Sequence, residues 1–210
     1  MSISELPALY LASTSVYRRQ LLAKLTPHFT TIKPDVDETA LPGEDATTLV
    51  SRLALTKAKA VAATLSHGLV IGSDQVAVFK NQIIGKPHTR DNAIAQLSQF
   101  NGNSVTFLTG LALVNVQSGQ CQVIVEPFTV CFRQLTQLEI AIYVDREQPF
   151  DCAGSFKSEG LGISLFSAMQ GNDPNSLIGL PLIKLLQLLN NEGVNLLTLK
   201  YEPAKPVNCQ

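Results

Sequence analysis

Two long apolar runs, Val105 to Val116 and Val123 to Phe132, have the turn Gln117-Ser118-Gly119-Gln120 between them. Residues of this kind favour extended backbone, and a short polar connection with a glycine returns the chain on itself. The pair predicts a long antiparallel hairpin, and a chain that contains one must build a sheet around it. Elsewhere strand and helix patterns alternate, so a mixed sheet with helices follows, the α/β class.

The other elements read as follows. Leu9-Tyr10-Leu11-Ala12 is a short buried strand that runs through Ser13-Thr14 into a helix to about Leu25, with Ser15 as N-cap. A second helix fits Asp45 to about Leu65, with Leu49, Leu53, Lys57 and Val61 on one face. Leu69 to Gly72 is a buried strand, followed by Ser73-Asp74 and a second apolar run, Val76 to Phe79. Thr89 opens a helix whose inner stripe is Ala93, Ile94, Leu97 and Phe100, and Thr136-Gln137-Leu138-Glu139 is a capping box for another. A Gly-rich stretch spans Ala153 to Ile163. The last helix starts near Pro181, a first-turn proline, and stops before Gly193.

At 210 residues the chain is long enough for one domain with a substantial core. With 45% hydrophobic residues it is no disordered chain, and 13 Gly and 11 Pro exclude a collagen-like or low-complexity one. A net charge of -1 argues against a binder of nucleic-acid polymers or membrane surfaces. Cys121, Cys131, Cys152 and Cys209 stand far apart without a CxxC, and His28, His67 and His88 are scattered, so a zinc site is not expected. The cysteines read as reduced thiols of a cytoplasmic protein. The N-terminus has no signal-peptide pattern, and Leu180 to Leu189 is too short and too interrupted to span a bilayer.

Four places put polar residues where a core or a bare turn would not need them. Ser13-Thr14-Ser15-Val16-Tyr17-Arg18-Arg19 joins hydroxyls, free helix N–H groups and two guanidinium groups at a strand-to-helix turn. Such a turn attracts anions; it is equally compatible with a capped helix and two solvated arginines. Lys57 lies in line with apolar residues, either snorkelling to water or held at the edge of the core toward a phosphate. Asp74 directly follows an apolar strand, where ligands of open α/β sheets bind; a turn aspartate bonding its own backbone is the commoner case. Gly85-Lys86-Pro87 adds a cation in a turn but is no P-loop. Ala153 to Gly162 holds three glycines that allow backbone approach to a ligand, and Phe156, Leu161 and Ile163 predict that it packs inward. Asp35, Asp37 and Glu38 form a small acidic group that suits a hard divalent ion or a solvated turn. There is no GxSxG, no HExxH and no GxGxxG between strand and helix.

The ordered set is more specific than any member of it. Leu11-Ala12-Ser13-Thr14-Ser15 with Arg18-Arg19, then Val36-Asp37-Glu38, Lys57-Ala58, Gly72-Ser73-Asp74-Gln75, Gly85-Lys86-Pro87 and Gly179-Leu180-Pro181 resembles the Maf family of nucleoside triphosphate pyrophosphatases, from about Leu9 to the final helix. The stretch Asp151 to Gly162 resembles the branch that hydrolyses 7-methyl-GTP; the dTTP/UTP branch usually has an Ile-Gln-Gly sequence where Lys157 to Gly160 stand. Val16 departs from the pattern, which often has proline there. The tail, about 195–210, has no counterpart in it.

The resemblance implies a Maf/ITPase-like fold: a mixed, elongated β-sheet flanked by helices, with two lobes around a central cleft. It implies a cytoplasmic enzyme, often a homodimer, that cleaves N7-methyl-GTP into N7-methyl-GMP and diphosphate with Mg²⁺ or Mn²⁺. Asp74 would be the proton acceptor and, with Glu38, a metal ligand. Ser13, Arg18, Lys57 and Lys86 would bind the polyphosphate, and Tyr17, Gln75 and Glu159 would set base specificity. The alternatives are hydrolysis of dTTP, UTP or another modified triphosphate, and a nucleotide-binding regulator of septum formation.

Overall fold

The computed structural model describes residues 7–198. Cys209 and most of the tail singled out above lie outside them. Seven strands form one sheet in the order β2-β1-β3-β5-β6-β7, with β4 paired to β3. These are β1 (Leu9–Ala12), β2 (Thr30–Ile32), β3 (Leu69–Phe79), β4 (Gln82–Ile84), β5 (Ser104–Asn115), β6 (Cys121–Phe132) and β7 (Phe166–Gly171). The helices are α1 (Val16–Ala23), α2 (Ala46–Ala62), α3 (Arg90–Phe100), α4 (Gln137–Glu147), α5 (Pro174–Ile178) and α6 (Leu182–Asn191). The sheet is mixed as expected: β1 is parallel to β2 and β3, and every other pairing is antiparallel. Among the described residues no helix is long and apolar enough to cross a membrane.

The predicted hairpin is β5–β6, twelve residues a strand, in continuous register from Ser104↔Cys131 to Val114↔Cys121. Its β5 strand pairs along nearly the whole of β3, from Leu69↔Asn115 to Val78↔Thr106. That pairing overturns one expectation. Asp74 does not end a strand and is not in a turn; it lies inside β3, because antiparallel bonds to β5 carry the strand past the point where its parallel neighbour stops. The β1 pairing ends at Ala12↔Gly72, two residues before Asp74.

Both faces of the sheet are covered at its β1 end. Leu9, Leu11, Leu69, Ile71, Leu111 and Leu113 pack under α1 and α6, while Ala12, Val70, Ala112 and Val114 pack under α2. A second core joins α3, α4 and the far ends of β3, β5 and β6, and is rich in phenylalanine. Phe156 stands in its middle, edge-on to Phe107, Phe132 and Phe166 at 5.2, 5.9 and 4.9 Å between centroids. It anchors the Gly-rich stretch, as predicted. Ile163 does not join it and is 55% exposed. Pro181 is the N-cap of α6 rather than its first helical residue.

Gly72 and Gly110 decide how closely α2 can lie on the sheet. A Cβ on Gly72 would stand 2.1 Å from the Ala54 carbonyl oxygen, and one on Gly110 would stand 2.1 Å from that of Val50. With hydrogens there, the α2 backbone rests on the strand backbone, and Lys57 is brought down beside β3.

Candidate active site

A cleft of about 920 Å³ opens where β1 and β2 end and β3 continues. The end of β1, α1, α2 and the chain after β2 wall it on one side. The other side is β4, Lys86 and the segment at Asp151 and Ala153. Ser13, Tyr17, Arg18, Glu38, Lys57, Asp74, Gln75 and Lys86 all line it. A side chamber of about 180 Å³ adjoins it, sharing Tyr17, Arg18, Gln75 and Lys86 and adding Phe107, Phe156 and Glu159. Every site residue expected from sequence thus faces one or both cavities.

The centre is Lys57, 5% exposed. Its ammonium donates to Asp74 Oδ1 at 2.7 Å and lies 2.8 Å from Glu38 Oε2. Lys57 therefore does not snorkel to water. Asp74, 7% exposed, makes no other side-chain hydrogen bond among the described residues, so Oδ2 is available to a ligand. Glu38 is more than half exposed at the rim. Asp37 turns its carboxylate to the Thr39 N–H instead, at 2.9 Å, and neither it nor Asp35 reaches the cleft.

Arg18 donates from Nε to the Gly179 carbonyl at 2.8 Å, which leaves its terminal nitrogens for an anion. Loss of water lowers its pKa from the usual arginine value, against the pull of Asp74 and Glu38. Its neighbour Arg19 is exposed and lies outside the cleft, contrary to the expectation that both guanidinium groups converge there. The Ser15 hydroxyl caps α1 by accepting from the Arg18 N–H, and Ser13 Oγ accepts from the Ser15 N–H at 3.0 Å. Ser73 is fully buried and bridges the carbonyls of Gly110 and Gly179. Gln75 Nε2 donates to Thr109 Oγ1 and to the Ser176 and Leu177 carbonyls, which ties α5 to the site.

Two charged lining residues were missed. Lys33 lies just beyond β2, a three-residue strand with no readable pattern, and Asp151 precedes the Gly-rich stretch. No signal in the sequence marks Lys33, because the strand that places it cannot be read. With them the main cleft holds four cations (Arg18, Lys33, Lys57, Lys86) against three carboxylates (Glu38, Asp74, Asp151), an excess of one positive charge.

The side chamber lacks that excess: Asp151 and Glu159 stand against the shared Arg18 and Lys86, two carboxylates for two cations. Burial raises the Tyr17 pKa above the usual phenol value, and Cys152, Glu159, Glu147 and Asp151 raise it further. Tyr17 is therefore a neutral phenol at neutral pH. Burial pushes the Cys152 thiol up to about 11, so it supplies no thiolate nucleophile there. The glycines of the Gly-rich stretch approach protein atoms, not the cavity: Gly154 faces Phe107, Gly160 faces Glu147 and Gly162 faces Lys157.

Among the described residues no three His, Cys, Asp or Glu gather into a metal cage. Glu38 and Asp74 alone offer a carboxylate pair. Each keeps one oxygen without a protein partner among the described residues. Mg²⁺ is commonly held by one or two carboxylates plus phosphate oxygens and water, and this donor set fits that habit.

The Maf-like protein family model matches residues 8–192. A 7-methyl-GTP pyrophosphatase of Pseudoalteromonas translucida (strain TAC 125) is 56% identical over 190 residues, 90% of this chain and 94% of that protein. Proteins of the same name from Idiomarina loihiensis and Pseudomonas fluorescens are 57% and 58% identical, over 89% of this chain and 96% and 97% of their own lengths. The structure of the Staphylococcus aureus Ham1 protein superposes with a TM-score of 0.49 at 16% identity, covering 89% of this chain and 100% of that one.

Proposed function

Because this chain belongs to the Maf-like protein family, we propose that it hydrolyses N7-methyl-GTP to N7-methyl-GMP and diphosphate. The observation that carries the reading is the buried Lys57 ammonium between Asp74 and Glu38, on the wall of a cationic cleft. A triphosphate tail needs several fixed cations, and a proton acceptor must stand against its innermost phosphorus.

In this reading the tail lies along Arg18, Lys57 and Lys86, with Lys33 at the rim. Ser13 and the first turn of α1 add dipoles that favour an anion. Water attacks the α-phosphorus and diphosphate leaves. Asp74 takes the water's proton while Lys57 holds Oδ1, so the carboxylate is oriented before substrate arrives. The fixed cations oppose charge growing on the leaving group without reorganising. Glu38 and Asp74 would hold the divalent ion, Mg²⁺ or Mn²⁺, which when bound supplies further neutralisation of the phosphates. The reaction belongs to the cytoplasm in this reading, where Cys121, Cys131 and Cys152 stay unpaired, and the enzyme is a homodimer.

The base lies in the side chamber. N7-methylation makes the purine cationic, and a cation is attracted to an aromatic face and to negative charge. Tyr17 offers the face. Glu159 and Asp151 offer the charge, and Glu159 can accept from the guanine N1–H and exocyclic amine. A pyrimidine presents neither feature.

A panel of triphosphates with both products identified tests this. The expected result is highest kcat/KM for N7-methyl-GTP, with diphosphate released. Equal rates for UTP would overturn the base assignment. Tight binding without diphosphate release would favour the regulator of septum formation.

A further inference from the structure

Glu159 is exposed, and its carboxylate meets only the Ser158 hydroxyl, at 3.3 Å, among the described residues. A side chain held so loosely can discriminate a base only if its backbone is fixed. The backbone is fixed on both sides of it, by the end of α4. Before Glu159, the Lys157 ammonium donates to the Glu147 carbonyl at 2.6 Å, and the Lys157 N–H donates to Tyr143 Oη at 3.0 Å. After it, the Leu161 N–H donates to Glu147 Oε1 at 3.3 Å. The Lys157 carbonyl accepts from the N–H groups of both Gly160 and Gly162, at 3.2 and 3.1 Å, which closes the loop on itself. A Cβ at Gly160 would stand 2.8 Å from Glu147 Oε2.

The chemistry of the anchor is specific. The Glu147 carbonyl is among the last four of α4, which have no partner within the helix. An ammonium there fills an open acceptor at the negative end of the helix dipole, in a charge-assisted bond. None of Lys157, Glu147 and Tyr143 lines the cleft or the side chamber. Their hydrogen bonds to 157–161 and to one another hold the loop.

We infer that Lys157, with Glu147 and Tyr143, is a clasp that positions Glu159 and so sets the selectivity for the base. These are positioning residues; none touches substrate. The inference rests on the base assignment to Glu159 made above.

The test is Lys157→Met, which keeps most of the stem and loses the ammonium, beside Lys157→Arg, which keeps a cation. kcat and KM are measured for N7-methyl-GTP, GTP and UTP. One charge-assisted bond lost predicts a fall of about tenfold in the kcat/KM ratio of N7-methyl-GTP to UTP, carried by KM. Lys157→Arg restores most of it. In a Glu159→Gln background Lys157→Met adds little, because the group that it positions is gone. An unchanged ratio, an equal loss on all three triphosphates, or a full tenfold loss in the Glu159→Gln background would overturn the inference. If Lys157→Met does not fold, Tyr143→Phe, which keeps the ring and loses the acceptor, must lower the same ratio. If the wild-type protein prefers another triphosphate, the substrate reading fails, and the clasp is judged on the preference for that triphosphate instead.

Discussion

Gly72→Ala changes one hydrogen for a methyl group, yet it should disable the site. The added Cβ would stand 2.1 Å from the Ala54 carbonyl oxygen and 2.9 Å from both Cβ and N of Ala58, where ordinary contact begins at 3.4 Å. These are backbone atoms and a short side chain, so no rotamer relieves the clash. α2 must retreat from β3 by roughly 1.3 Å at Ala54, the shortfall in that contact. Lys57 is three residues further along the same helix. A shift of that size takes its ammonium out of hydrogen-bond range of Asp74 Oδ1, now 2.7 Å away. Overpacking of this kind costs about 1–3 kcal/mol of stability. A misplacement of about 1 Å in a catalytic group costs on the order of a hundredfold in rate. The assay is kcat/KM on N7-methyl-GTP together with urea unfolding. A folded Gly72→Ala protein with kcat/KM within about threefold of wild type would refute the reasoning that the bare strand seats Lys57. Gly110→Ala, which blocks Val50 in the same way, should behave alike.

Asp74→Asn should lower kcat by about 100- to 10,000-fold, the usual worth of a general base; near-normal turnover would remove Asp74 from the mechanism. Lys57→Met breaks a pair whose side chains are 6% and 10% exposed, and should cost about 3–5 kcal/mol in chemical denaturation. Adding Asp74→Asn to that variant should return part of the loss, because no unpaired buried carboxylate remains. On α4, the Glu139 carboxyl is lowered from 4.5 to about 2 by the Thr136 N–H and hydroxyl and by Arg133. Between those two values the unfolded chain binds more protons than the folded one, so this contribution is complete above about pH 4.5 and fades as pH falls toward about 2. Thermal melts across that range should lose part of their pH dependence in Glu139→Gln.

The long elements were readable because each carries a full local pattern. The hairpin, α2 with its face of Leu49, Leu53, Lys57 and Val61, and the caps Ser15 and Thr136 stand as the residues predicted, while Asp45 and Thr89, read as helix starts, are the N-caps just before α2 and α3. The short elements were not. β2 and β4 have three residues each, and β7 is a mostly exposed edge whose sequence alternates with neither face. α5 has five residues and owes its existence to tertiary bonds: Asp173 caps it, and Gln75 and Thr109 bind its last carbonyls. Ser73-Asp74-Gln75 looked like a break because polar residues interrupt an apolar run. Only partner strand β5, some forty residues away, makes it continuous. At the site, the ordered motifs located Lys57, Lys86 and Asp74, but spacing could not separate Arg18 from Arg19 or Glu38 from Asp37, and Lys33 was missed. Which of two neighbours faces the cleft is decided by helix phase and by how the loop turns its own backbone.

The central claim is that water meets the innermost phosphorus of the triphosphate, with the proton going to Asp74. Hydrolysis of N7-methyl-GTP in water enriched in heavy oxygen, followed by mass spectrometry of both products, reads this directly. The account predicts that the label enters N7-methyl-GMP and leaves diphosphate unlabelled. Label in the diphosphate, or release of monophosphate in its place, would contradict it.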